Sequence, residues 1–299
     1  MHDHRRRAGL AALALACAAL AAAAAALSTP PRTAAADEKP KPEEIVARHL
    51  EAVGTAEARS PARPRAVTGD TRIEVKAGGR GGSEGQGLIV SDGEKVLLGA
   101  TFNSPDYPFE RIGFDGSRLS ARPFRPNVRS PLANFFLSHE AVFKEGLIGG
   151  ALSTAWPLLH LDARKPKLSY AGSGEAAGRP AHKLRYTPRK GSDLKVTLFF
   201  DAETFRHVRT EYDRTVPAPI GSSPGDSVSQ RETRYRMVEE FSDFKAEGGL
   251  TLPRTYSIGF TVFSTGTPIE LTWRFNLSRL TLDQQLDPKL FVTDTAESK

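Results

Sequence analysis

Cysteine is nearly absent from this chain of 299 residues, where Cys17 stands alone. One cysteine excludes an internal disulfide framework and any metal site built from several thiolates. Neither sign of charge predominates, with 41 lysines and arginines against 35 aspartates and glutamates. That balance gives no reason to expect nucleic acid as a partner. Beyond residue 36 no apolar run is long enough to cross a bilayer.

The spacings that carry catalysis are also missing. Outside His2-Asp3-His4 at the N-terminus there is no H-x-H, and neither H-x-x-H nor H-E-x-x-H occurs; His49, His139, His160, His182 and His207 fall in separate elements. His49 and His139 lie on apolar helix faces, where a packed core histidine is expected. No G-x-S-x-G elbow occurs, and Ser173 sits in an expected turn between strands. Glu239 and Glu240 are neighbours on a strand, so they point to opposite faces and cannot form an acid/base pair by themselves. The glycine-rich AGGRGGSEGQG at 77–87 lacks the Lys-Ser/Thr ending and the following helix of a phosphate loop. It reads as a mobile hairpin loop. The expectation is a protein that is not an enzyme, with no catalytic residues, no metal and no cofactor.

What is present begins with an export signal. Arg5, Arg6 and Arg7 precede 8–27, where every residue is Ala, Leu, Gly or Cys, and Ala34-Ala35-Ala36 supplies an exit site. A secretory signal peptide at 1–36, cleaved after Ala36, is expected, with one domain at 37–299. Three other readings of the segment remain: an uncleaved anchor, a lipid anchor on Cys17, and a twin-arginine signal. Cleavage would remove Arg5, Arg6, Arg7, Arg32 and Asp3, taking the formal net charge from +6 to +3.

At 43–53, EEIVARHLEAV places Ile45, Val46, His49, Leu50 and Val53 on one helical face, with Gly54 in the capping position. Strands follow at 67–76, 87–91, 95–102, 110–114 and 118–124. Asp92-Gly93 and Asp115-Gly116 mark hairpins, so the strands form an antiparallel meander. Further strands are expected at 167–173, 182–187, 195–200, 207–212, 234–244, 251–263 and 269–281. The strand after the turn at Asp201-Ala202-Glu203 looks polar and edge-like. The basic group Arg185, Arg189, Lys190 and Lys195 reads as a solvated hairpin edge.

Two short helices interrupt the meander at 130–161. Ser130 caps the first with Pro131 at its first position, and Gly146 separates it from a more evenly apolar segment at 147–156. Several strands are apolar on both parities, as in Val96-Leu97-Leu98 and Leu198-Phe199-Phe200. A sheet with one wet face should alternate. Two readings stay open: a sheet or sandwich with core on both faces, or a curved sheet whose concave face is an apolar pocket under the 130–161 helices.

Three segments carry a family resemblance: GLIGGALSTAWPLL (146–159), YTPRKGSDLKVTLFFDAETFRHVRTEY (186–212) and RYRMVEEFSDFKAEGGLTLPRTY (234–256). With the order of elements, they resemble the LolA/LolB-like lipoprotein-carrier superfamily, in particular outer-membrane lipoprotein-sorting proteins. The resemblance implies an α+β fold: a strongly curved antiparallel β-sheet, an incomplete barrel, with a short N-terminal helix and mid-chain helices over its open, concave side. It implies a periplasmic monomer that binds lipid or lipoprotein acyl chains non-covalently, for lipoprotein sorting or lipid transport to the outer membrane. Membrane-bound donor and acceptor proteins would be its partners, and nucleic acid would not.

The residues then expected to line the cavity are Leu88, Val90, Leu97, Phe135, Phe136, Leu147, Leu152, Leu198, Phe200, Phe260, Val262, Trp273 and Phe275. The best-studied carriers latch the lid with an arginine, and Arg72 lies in the corresponding region. Two alternatives remain: an envelope regulator or scaffold of the same fold that binds a protein, and an envelope hydrolase.

Overall fold

Helix α1 (Pro42–Val53) starts with proline and two glutamates and buries Ile45, Val46, His49 and Val53. The computed structural model describes residues 39–60, 63–76, 80–218, 232–264 and 266–294. The signal expected at 1–36, with Cys17 inside it, lies outside these residues. After α1 the chain reaches Gly54, which bridges to Leu250. A Cβ at Gly54 would stand 2.3 Å from the Gly249 carbonyl oxygen, so only glycine permits this approach.

Twelve strands form a single antiparallel sheet: β1 (Arg65–Lys76), β2 (Arg80–Asp92), β3 (Lys95–Phe102), β4 (Phe109–Phe114), β5 (Leu119–Ala121), β6 (Lys167–Ala176), β7 (Arg179–Thr187), β8 (Lys195–Asp201), β9 (His207–Val216), β10 (Thr233–Glu247), β11 (Leu250–Phe263) and β12 (Ile269–Leu282). Their order is β5-β4-β3-β2-β1-β12-β11-β10-β9-β8-β7-β6. Two meanders are therefore joined side by side through β1 and β12, with Arg65 opposite Leu282 and Lys76 opposite Glu270. The sheet is strongly curved and does not close into a barrel; β5 and β6 are its outer strands. The expected fold class is borne out.

This order explains the helical interruption. β5 and β6 lie at opposite edges, and the chain between them must cross from one edge to the other. It crosses the inner face of the sheet. The crossing contains α2 (Pro131–Ser138), one-turn helices α3 (Ala141–Lys144) and α4 (Leu161–Arg164), and 3-10 turns at Gly150–Leu152 and Pro157–Leu159. Ser130 caps α2 as expected, its hydroxyl accepting from the Ala133 N–H at 2.9 Å.

Three expectations are corrected. The segment 147–156 is not a helix, because Gly146, Gly149 and Gly150 take positive φ and stop a right-handed helix. Residues 80–87 are not a loop but the first half of β2. The glycines there admit neighbours: a Cβ at Gly87 would lie 2.4 Å from the Phe275 ring. Finally, β9 is not an edge strand, since it pairs with both β8 and β10.

The apolar strands are two-sided because both faces of the sheet carry covers. The inner face holds the main core, from Ile45 on α1 through Phe136 and Trp156 to Phe275 on β12. On the outer face, Val90 and Leu97 pack under Phe291 of a 3-10 turn at Pro288–Phe291. Phe199 packs outside with Ala181, Ala176 and Val208, and the Arg209 guanidinium lies 5.9 Å from its ring.

Candidate functional site

The segment 147–159 lies on the inner face and buries Leu147, Ile148, Leu152, Trp156 and Leu158 there. Apolar packing is not all that holds it. The Gly149 N–H donates to Glu239 Oε1 on β10 at 2.7 Å. Arg65 Nη1 on β1 donates to the Ala151 carbonyl at 2.9 Å. The Thr154 N–H donates to Ser91 Oγ on β2, and Thr154 Oγ1 donates to the Gly93 carbonyl, both at 2.9 Å. Trp156 Nε1 donates to His49 Nε2 on α1 at 3.1 Å. A short stretch of chain is thus bonded to three strands, a hairpin turn and a helix.

Several of these partners are ionisable and fully buried. Glu239 also accepts from the Tyr212 hydroxyl at 2.5 Å and the Tyr256 hydroxyl at 2.6 Å. Burial nevertheless raises its pKa to about 7, against the pull of those donors. Glu110 on β4 is raised to about 7 in the same way, with Tyr107 and Ser130 as its donors. Since Ser130 caps α2, one buried carboxyl lies near the start of the crossing segment and the other at its middle, by Gly149. Burial acts in the opposite direction on the imidazoles: His49 falls to about 4, and His207, stacked on Trp156 at 4.7 Å, is held well below its usual value.

Arg65 is 1% exposed. Only its Nη1 is bonded; Nε and Nη2 have no partner. Burial, and then the nearby Arg63, bring its pKa down to about 10.

Of the residues expected to line a cavity, Phe135, Phe136, Leu147, Leu152, Leu198, Phe200, Phe260, Trp273 and Phe275 all lie in the inner cluster, and Val262 packs against it half-buried. Leu88, Val90 and Leu97 do not. They belong to the outer cluster with Phe291, while Ile89, Val96 and Leu98 take the inner positions. The expected parity of β2 and β3 was inverted, as a one-residue shift does. Arg72, which the sequence left unassigned, is placed by the same alternation. In β1 the odd residues Val67 and Ile73 face inward, so Arg72 faces out and pairs with Glu74 and Glu84. Arg65, on the inward parity, holds the covering segment instead.

The inner face is filled. Phe200 meets His49 at 5.0 Å and His207 at 5.6 Å, and Phe135 meets Phe260 at 5.2 Å. Between α1, Ala151, His207 and Phe241 a space of about 10 Å³ remains, room for about one water. A wider cleft of about 860 Å³ lies by Arg72, Glu74, Lys76 and Arg80, but its walls are charged and face solvent.

No family model matches the chain, and no curated protein matches it. Among solved structures, it is similar to a LolA superfamily protein from Nitrosomonas europaea, 13% identical, over 85% of this chain and 98% of that one, with a TM-score of 0.42. A domain assigned to outer membrane lipoprotein sorting from Vibrio parahaemolyticus is also 13% identical, over 83% and 96%, with a TM-score of 0.42. The MucA/MucB complex from Pseudomonas aeruginosa is 12% identical, over 79% and 94%, with a TM-score of 0.22. The LolA-like resemblance read from the sequence recurs among these structures. At such TM-scores, no cargo or partner carries over from them.

Proposed function

We propose that this protein is a periplasmic carrier that binds lipid or lipoprotein acyl chains non-covalently on the inner face of its sheet, after segment 147–159 lifts away. The observation that carries this reading is how the segment is held. Buried charged and polar groups tie it down, and one of them, Arg65, keeps two N–H groups without partners. Each such buried donor costs roughly 1–3 kcal/mol. That cost falls on the closed form and lowers the work of opening. Replacing a buried ionic group by apolar side chains is often neutral or stabilising, so a cover meant only to stay shut has little use for one.

Lifting the segment would bare what it packs on, Ile89 on β2 and Phe241 on β10, and open the inner core in which Leu198, Phe200, Phe260 and Phe275 lie. Burying a methylene is worth about 0.8 kcal/mol. An acyl chain of about a dozen carbons then supplies on the order of 10 kcal/mol to offset the displaced contacts. No covalent step is needed. The test is native mass spectrometry with lipid extraction on protein purified from membrane-containing cells. The reading predicts a stoichiometric acyl-bearing lipid. Protein that stays empty when offered lipids and lipopeptides would refute it and favour a regulator that binds protein.

A further inference from the structure

Arg65 is a buried cation without a counter-ion. Among the described residues it makes no ion pair, and the charge that acts on it is the like charge of Arg63. Glu239 lies close along the covering segment, at Gly149, but its oxygens are taken by Gly149, Tyr212 and Tyr256. The two unpartnered atoms of Arg65 are Nε and Nη2. These are the nitrogens along one edge of the guanidinium, and their parallel N–H groups match the two oxygens of a carboxylate or phosphate. A third unpartnered nitrogen lies under the adjacent residue of the cover: Gly150 packs on His207, close enough that a Cβ there would stand 2.7 Å from Nδ1. Residues 150 and 151 thus cover both groups, and one movement uncovers them.

Resting on the carrier reading, we propose that the cargo bears an anionic oxygen head, a carboxylate or phosphate, which Arg65 grips by its Nε–Nη2 edge once Ala151 withdraws. The acyl chain then lies along the apolar inner face, and the head replaces the Ala151 carbonyl as the partner of Arg65. Selection would therefore be for amphiphiles with an acidic head over neutral ones of the same chain length.

The experiment compares palmitate, methyl palmitate and inorganic phosphate on the wild-type protein, Arg65→Met and Arg65→Lys. Circular dichroism checks that each variant folds. Wild type should bind palmitate about 10-fold or more tighter than methyl palmitate, the scale of a charge-assisted hydrogen-bonded pair. Arg65→Met should bring the two affinities together. Arg65→Lys keeps the charge but not the fork and should lose most of the preference, so it serves if Arg65→Met does not fold. Equal wild-type affinities, or a preference that survives in both variants, would overturn the proposal. Competition by phosphate alone at similar concentration would overturn the lipid source of the anion. If neither palmitate nor its ester binds, the carrier reading itself falls; binding of both without preference leaves that reading intact and removes only the role of Arg65.

Discussion

The sheet has two covers, and they are fixed by different chemistry. On the outer face, the turn Pro288–Phe291 buries the Phe291 ring completely over Val90 and Leu97. Its polar contacts are modest: the Thr293 N–H donates to Ser120 Oγ at 2.9 Å, and an exposed Arg118–Asp294 pair lies at the rim. On the inner face, the segment 147–159 buries more apolar side chains but also rests on Arg65, Glu239 and His49. A closed apolar plug suits a permanent cover. Charged and polar groups held out of water suit a removable one, because opening restores their hydration. On the proposed reading, one sheet carries a fixed cover outside and a releasable one inside.

The largest effect should come from the fixed cover. Phe291→Ala should lower unfolding free energy by about 3–5 kcal/mol in urea titrations, as for a fully buried aromatic. A loss below about 1 kcal/mol would break the contrast between the covers.

Glu239→Gln comes next. The carboxyl is raised from 4.5 to about 7 in the folded protein, so its contribution to stability is fully present below about pH 4.5 and is lost as pH rises toward 7. The wild type should lose about 3 kcal/mol across that window relative to the glutamine variant. His49, lowered to about 4, acts the other way, its contribution being lost as pH falls from 6.5. That acid limb should persist in Glu239→Gln. Urea titrations at several pH values give both limbs; parallel profiles for wild type and variant would contradict the assignment.

Ser91→Ala leaves the Thr154 N–H without an acceptor and should cost about 1–2 kcal/mol, with faster hydrogen exchange confined to the covering segment. Arg118→Ala, at the rim of the outer cover, should leave the thermal unfolding midpoint nearly unchanged, since the pair is exposed to solvent.

Much of the fold was legible because its signals are local. Asp92-Gly93 and Asp115-Gly116 set hairpins, and Ser130-Pro131 starts α2. What was missed depends on distant neighbours. The glycines of 80–87 look like a loop, and only the Phe275 ring packed over Gly87 explains why a strand needs one there. Leu88, Val90 and Leu97 sit in runs with apolar residues on both parities, so nothing polar marks which side faces out. Glu239 and Glu240 are indistinguishable in sequence; the hydroxyls of Tyr212 and Tyr256, on other strands, make the first a buried group. Arg65 did carry a signal. It shares parity with Val67 and Ile73, which places it on the inner face, whereas Arg72 does not.

The releasable cover is tested most directly by hydrogen exchange followed by mass spectrometry, with and without an acyl lipid. In the free protein, peptides spanning 147–159 should exchange through local opening, well ahead of those spanning 288–294. Adding lipid should change exchange in 147–159 and leave 288–294 as it was. Protection of 147–159 equal to that of the central strands, unchanged by lipid, would contradict the account.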